Sequence, residues 1–433
     1  MTAPASRASE PPMVHVVGAG LAGLSAAVRL AEQGNPVILY EAAGQAGGRC
    51  RSYGDPVLGC RIDNGNHLLL SGNRSAVAYL DLLGARDQLH AASDSAFPFL
   101  DLRTGERWIV RPNMGPVPWW PLVPSRRVPG TTAIDYAGAR RLAFAGRGQS
   151  VAEVLPPGIL FDRFWEPLVI AALNAVPAQA SARLLWHALR ESFARGGRYC
   201  RPMIARHGLS EAFVEPALAY LRGRGVPIRI NHRLRALTVS GRTITALHFG
   251  GQDQPLGQGE RVVLAVPPAQ LRRLLPDLPL PEDRAVILNA HFRLPDAIAP
   301  PGAPRFLGLL GGTAHWLFVR GDIASITISA AEQLGLADEA EDTLLPVLWG
   351  EVRTALGLAD QPFRAARLIR ERRATFDQSP AGEALRPDAG IGLANLALAG
   401  DFTRTGLPAT IEGAIRSGER AAALLQRDGP GSH

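Results

Sequence analysis

Residues 13–41 constrain this chain more than any other stretch. The run MVHVV (13–17) is followed by GAGLAGLSAAVRLAEQG and then by PVILYE, which ends at Glu41. An apolar run, a glycine turn, a helical repeat and a second apolar run read as strand, turn, helix and strand. Leu21, Leu24, Val28 and Ala31 fall at helical spacing, and Gly34 stops the helix. Inside this βαβ unit, Gly18, Gly20 and Gly23 keep the spacing G-x-G-x-x-G. The first permits the tight turn, the second lets the backbone approach a pyrophosphate, and the third allows close helix–strand packing. The helix N-terminus offers free N–H groups and a positive dipole end to the anion. Glu41 lies about 20 residues on, where a carboxylate accepts from ribose hydroxyls. A dinucleotide site is the expectation.

Two further stretches bear on which dinucleotide. Gly47, Gly48 and Arg49 follow the acid directly, and bring backbone and guanidinium to the same pyrophosphate or to a flavin edge. Near the C-terminus, LALAGDFTRTGLPATIEGAIRSG places Asp401 at a strand end and opens a helix near Pro408. Ile411, Ile415, Gly418, Ala422 and Leu425 mark one face of that helix. Its N-terminus, aimed at a flavin, would stabilise the anionic reduced form; the same residues also read as a capped helix packing on a sheet.

The chain has 433 residues and a net charge of +7, yet no lysine. This excludes Schiff-base chemistry and any catalytic lysine. The arginines are spread without a nucleic-acid motif, so solubility or attraction to an anionic membrane surface accounts for them. Cys50, Cys60 and Cys200 form no CxxC pair, which fits a reducing compartment and argues against a disulfide framework or zinc site. No run approaches the length of a spanning helix, and no signal peptide is visible. The expectation is a cytoplasmic protein, soluble or peripheral on the inner face of the cytoplasmic membrane.

The texture changes along the chain. Short strand-like runs occupy 200–280, strand and helix return after 385, and the segments between differ from both. This predicts a discontinuous nucleotide domain from 13–85, 200–280 and 385–428, a substrate domain from 86–199 and 281–384, and disordered tails at 1–12 and 429–433.

Taken together, these residues resemble the FAD-dependent amine oxidase and phytoene desaturase superfamily over nearly the whole chain. GGRCRSY, RIDNGNHLLLSGN, AALNAVPAQAS, VVLAVPP and GDFTRTGLPATIEGAIRSG resemble its squalene-associated branch, the hydroxysqualene dehydroxylases of hopanoid and squalene synthesis. The resemblance implies an α/β fold, a Rossmann-like FAD-binding domain with an inserted α+β substrate domain. It also implies that reduced FAD removes the hydroxyl of hydroxysqualene, a long isoprenoid lipid, to give squalene and water. Carried over by motif, the FAD contacts are Gly18, Gly20, Gly23, Glu41, Gly48, Arg49, Leu234 (by its backbone), Asp401, Thr410 and Ile411. A carotenoid-type desaturase or an amine oxidase is the alternative. Against an amine oxidase stand the missing lysine and a last tyrosine at Tyr220, although Phe402 is a possible aromatic substitute for the amine cage. The C-terminal cysteine that carries a covalent flavin is missing too, so FAD is expected to be noncovalent. No second nucleotide motif is visible, which points to an external electron donor. No metal site is expected.

An allylic hydroxyl leaves only when protonated or strongly hydrogen-bonded, so an acid or donor is needed near the flavin. The candidates are Asp63, Asn64, Asn66, His67 and Asn174, of which His67 is the ready proton donor near neutral pH among the non-carboxylates. Each has a plainer reading: a turn residue for Asp63, Asn64 and Asn66, a satisfied structural histidine for His67, a helix C-cap for Asn174. Trp119 and Trp120, among prolines and ahead of Arg126 and Arg127, suit either a membrane interface or burial in the substrate domain.

Overall fold

The computed structural model describes residues 11–283, 285–294, 297 and 305–427. The expectation for the tails falls outside them, apart from Pro11 and Pro12, which lie in no helix or strand.

The strand Val14–Val17 is buried at every position, as expected of a strand covered on both faces. It is central to a five-stranded parallel sheet, in the order Ile228–Arg229, Val37–Tyr40, Val14–Val17, Arg261–Leu264, Leu396–Leu398. These strands come from three stretches far apart in the chain. The opening helix, Leu21–Glu32, packs against the closing helix, Ile411–Arg427. Their approach is close enough that a Cβ on Gly418 would strike the Ala22 carbonyl. The Ser25 hydroxyl donates across the seam to the Ile415 carbonyl at 2.9 Å. The closing helix therefore starts at Ile411, three residues after the expected Pro408. Thr410 caps it by accepting the Gly413 N–H at 3.0 Å.

A seven-stranded sheet forms the second layer, in the order Ala366–Thr375, Ala285–Arg293, Ile323–Ile328, Trp316–Arg320, Phe306–Leu310, Phe97–Asp101, Arg107–Val110. Its pairings are antiparallel except for Phe306–Leu310 with Phe97–Asp101. Period-two alternation sorts its side chains. Leu288, Ala290, Phe292, Leu317, Val319, Ala324 and Ile326 share one apolar core with Leu348 and Trp349 of the helix Glu341–Leu356. The alternate positions, among them Ile287, Asn289, Trp316, Phe318 and Thr327, line a cavity.

A small sheet pairs Leu89–Ala91 and Leu69–Leu70 with Pro202–Ala205. Leu89–Ala91 thereby pairs with a strand from the 200–280 stretch, and Leu89 shares a core with Val14 and Val16 of the parallel sheet.

Candidate active site

Two cavities meet between the layers. The first, of about 440 Å³, runs along the C-terminal ends of the parallel strands, where open α/β sheets bind ligands. Gly18 (φ 104°) and Gly23 are there for space: a Cβ on Gly18 would clash with the Ala265 carbonyl, and one on Gly23 with the Gly18 carbonyl. Gly20 differs, since a Cβ there meets nothing within 4 Å; its backbone faces the opening. Glu41 accepts from the Ala19 N–H and the Ala43 N–H, both at 2.8 Å, so its carboxylate braces the glycine turn as well as lining the cavity. Leu234 lines it too, with its carbonyl accepting from Gln270 Nε2 at 2.9 Å.

At the other end, Arg49 Nη2 donates to buried Asp401 at 2.7 Å and Nη1 to the Ala374 carbonyl at 2.7 Å. Arg386, 1% exposed, holds the loop behind Asp401 by donating to the carbonyls of Asp401 (2.9 Å) and Thr403 (2.5 Å) and to Thr405 Oγ1 (3.0 Å). Burial pushes its guanidinium down to about 10, still charged at neutral pH. Gly48, Phe402, Thr410 and Ile411 also line this cavity. Two helix N-termini, a backbone-lined glycine turn and a cation–carboxylate pair are the donor set that an elongated dinucleotide requires. The residues present fit FAD.

The second cavity, of about 310 Å³, is lined mainly by apolar side chains, including Leu68, Leu70, Phe97, Leu168, Phe193 and Phe318. It shares Arg49, His67, Glu371, Ala374 and residues 409–411 with the first. Polar groups gather near that shared wall. Asn64 Nδ2 donates to Glu371 Oε2 at 2.9 Å, and Asn66 Nδ2 to Thr327 Oγ1 at 3.0 Å. Asn174 does two things: at φ 48° it caps the helix Glu166–Leu173, and it lines the cavity while bonded to Thr375 Oγ1 (3.1 Å) and the Ala330 N–H (2.6 Å).

Two of the candidate residues are placed differently from the others. Asp63 lines neither cavity. Its carboxylate accepts from Ser52 Oγ (2.6 Å), the Leu209 N–H (2.9 Å) and Arg320 Nη1 (2.7 Å), which makes it an anchor of the hairpin Ser52–Asp55 with Cys60–Asp63. His67 does sit on the shared wall, but burial lowers its pKa below the ordinary imidazole value. The Gly65 carbonyl, 3.3 Å from Nδ1, can only accept, so Nδ1 carries the proton and Nε2 is left an acceptor. With Nε2 left to accept, His67 can orient a hydroxyl at the shared wall. The residues that sequence reasoning missed are Glu371, Asn289 and Thr327. The one signal for Glu371 was an acid set among arginines in RLIRERRA.

This geometry defines a flavoenzyme with an apolar chamber against its cofactor, and the comparisons agree. The chain belongs to the flavin-containing amine oxidoreductase family, whose model matches residues 21–426. Cyclohexylamine oxidase from Brevibacterium oxydans shares the fold, with a TM-score of 0.72 at 16% identity over 96% of this chain and 99% of that one. Within the family the chain belongs with the hydroxysqualene dehydroxylases. It is 45% identical over 416 residues to that of Rhodopseudomonas palustris, covering 95% of this chain and 98% of the relative. To that of Zymomonas mobilis it is 41% identical over 413 residues, covering 95% and 98%. The cofactor is FAD.

Proposed function

We propose that this protein reduces hydroxysqualene to squalene with noncovalent FAD recharged by an external electron donor. The observation that carries the reading is the apolar chamber whose polar groups gather at the wall it shares with the FAD cavity. Bound and reduced, FAD supplies two electrons as a hydride. The chain's own residues do the rest. Leu68, Phe97, Leu168, Phe193 and Phe318 take the isoprenoid out of water. His67 Nε2 accepts from the substrate hydroxyl and turns it toward the shared wall, where Asn66 and Asn64 complete a polar rim.

The lipid is drawn from a membrane surface. No helix among the described residues is long and apolar enough to cross a membrane. However, among the described residues more than half of the exposed large apolar side chains fall within residues 114–159: Met114, Val117, Trp119, Leu122, Ile134, Phe144 and Ile159. Arg126 lies 5.0 Å over the Trp119 ring, and Arg127, Arg140, Arg141 and Arg147 occupy the same stretch. Apolar and cationic side chains together suit an anionic lipid surface. Trp120 takes no part: it is buried edge-on against Tyr136 at 4.8 Å.

Anaerobic mixing of dithionite-reduced protein with hydroxysqualene tests the activity. Squalene should form while the flavin is oxidised in equal amount. A flavin that stays reduced with no squalene formed overturns the reading.

A further inference from the structure

The dehydroxylation needs a proton at the departing oxygen, and His67, whose Nδ1–H is turned to the Gly65 carbonyl, presents an acceptor there. The carboxylates around the two cavities are nearly all committed elsewhere. Asp401 is paired with Arg49, and Asp283 with Arg272 at 3.2 Å. Glu191 and Glu412 are both paired with Arg416, at 2.6 and 2.8 Å. Glu41 is spent on two backbone amides. Glu371 is the exception: it lines both cavities and has no ion-pair partner among the described residues.

Its surroundings are ordered toward it. Asn66 Nδ2 donates to Thr327 Oγ1, which donates to Asn289 Oδ1 at 2.9 Å. Asn289 Nδ2 donates to the Asn64 carbonyl at 3.4 Å, and Asn64 Nδ2 donates to Glu371 Oε2 at 2.9 Å. This chain fixes one carboxyl oxygen. Among the described residues the other accepts only the Arg373 N–H, at 3.4 Å, a weak bond that leaves it available. A carboxyl within hydrogen-bond reach of a departing oxygen can act as its proton donor, and Glu371 lies on the wall that the apolar chamber shares with the FAD cavity.

We propose that Glu371 is the general acid that protonates the departing hydroxyl. This rests on the dehydroxylation reading above. The allylic C–O bond breaks and its electron pair leaves with oxygen, which takes the proton from Glu371 and departs as water. The carbon accepts the hydride that reduced FAD supplies; the substrate is reduced by two electrons, the flavin oxidised by two, and Glu371 regains its proton from solvent.

The test compares wild type, Glu371→Gln and Glu371→Asp in anaerobic single turnover of hydroxysqualene, with FAD and lipid affinities measured separately. Glu371→Gln keeps both affinities within a few-fold and slows squalene formation by roughly 100-fold or more, and Glu371→Asp recovers part of the rate. A Gln variant within tenfold of wild type, an Asp variant no faster than Gln, or a loss of FAD or lipid affinity that accounts for the slowing overturns the assignment. Absence of squalene from the wild type overturns the dehydroxylation reading instead.

Discussion

Arg49 and Asp401 are 352 positions apart in sequence and meet at 2.7 Å. The pair joins the glycine-rich segment after the second parallel strand to the loop ahead of the closing helix, and closes one end of the FAD cavity. Asp401 is 4% exposed, so losing its partner leaves a carboxylate in a poorly hydrated site. Arg49→Ala should therefore weaken FAD binding by roughly 10- to 100-fold, about 1.5–3 kcal/mol. Fluorescence titration of apoprotein with FAD measures it, and Arg49→Lys should recover only part, because one ammonium cannot reproduce the guanidinium's two directed bonds to Asp401 and the Ala374 carbonyl.

Gly418 sets how closely the two cofactor-facing helices approach. In Gly418→Val the side chain meets the Ala22 carbonyl, and the helices must separate. Overpacking of this kind costs about 1–3 kcal/mol, and here it also shifts the N-termini that line the cavity. The expected result is a lower Tm in the apoprotein and a smaller gain in Tm on adding FAD. An unchanged apo Tm would show that the seam relaxes freely.

Acid should unfold the protein early, with burial of His291 as one identifiable cause. Burial pushes its imidazole down to about 4 despite the nearby Asp63, and its Nε2 has no hydrogen-bond partner among the described residues, so a second proton would be poorly solvated. In the unfolded chain the same group titrates near about 6.5. Between these values the unfolded state binds more protons, so this contribution is complete above about pH 6.5 and is lost as pH falls toward about 4. The amount is on the order of 3 kcal/mol. His315, also pushed down to about 4, acts in the same direction. Urea unfolding at pH 7 and pH 4.5 measures the loss, and His291→Gln should make the pH dependence shallower.

The membrane face can be separated from the active site. Phe144 is 88% exposed, and Trp119 is 47% exposed under Arg126. Phe144→Asp together with Trp119→Asp should abolish flotation with anionic phosphatidylglycerol vesicles while FAD content and Tm stay at wild-type values. Equal flotation of variant and wild type would remove this stretch as the lipid contact.

The nucleotide turn was legible because its requirements are local. Gly18, Gly20, Gly23 and Glu41 lie within 24 residues, and each answers to backbone geometry that residue type alone reports. The wall shared by the two cavities was only half legible. Asn64, Asn66 and His67 stood out as a polar cluster before an apolar run, but Asn64 is bonded to Glu371, 307 positions away, and that pairing follows from strand order in the second sheet. His67 shows a related limit: residue type reports ordinary imidazole chemistry, whereas its burial and the Gly65 carbonyl come from the fold. The anchoring contacts of Asp63 were not legible, because Ser52, Leu209 and Arg320 converge on it from separate segments. Trp120 resembled its neighbour in sequence, and only Tyr136 distinguishes them.

The wall common to the two cavities ties the two binding equilibria together. Any displacement of Arg49, His67 or residues 409–411 when one chamber fills is felt in the other. Thermodynamic reciprocity then fixes the relation: the factor by which bound FAD alters lipid affinity equals the factor by which bound lipid alters FAD affinity. A lipid dissociation constant measured for this protein is thus meaningful only alongside the FAD occupancy at which it was taken.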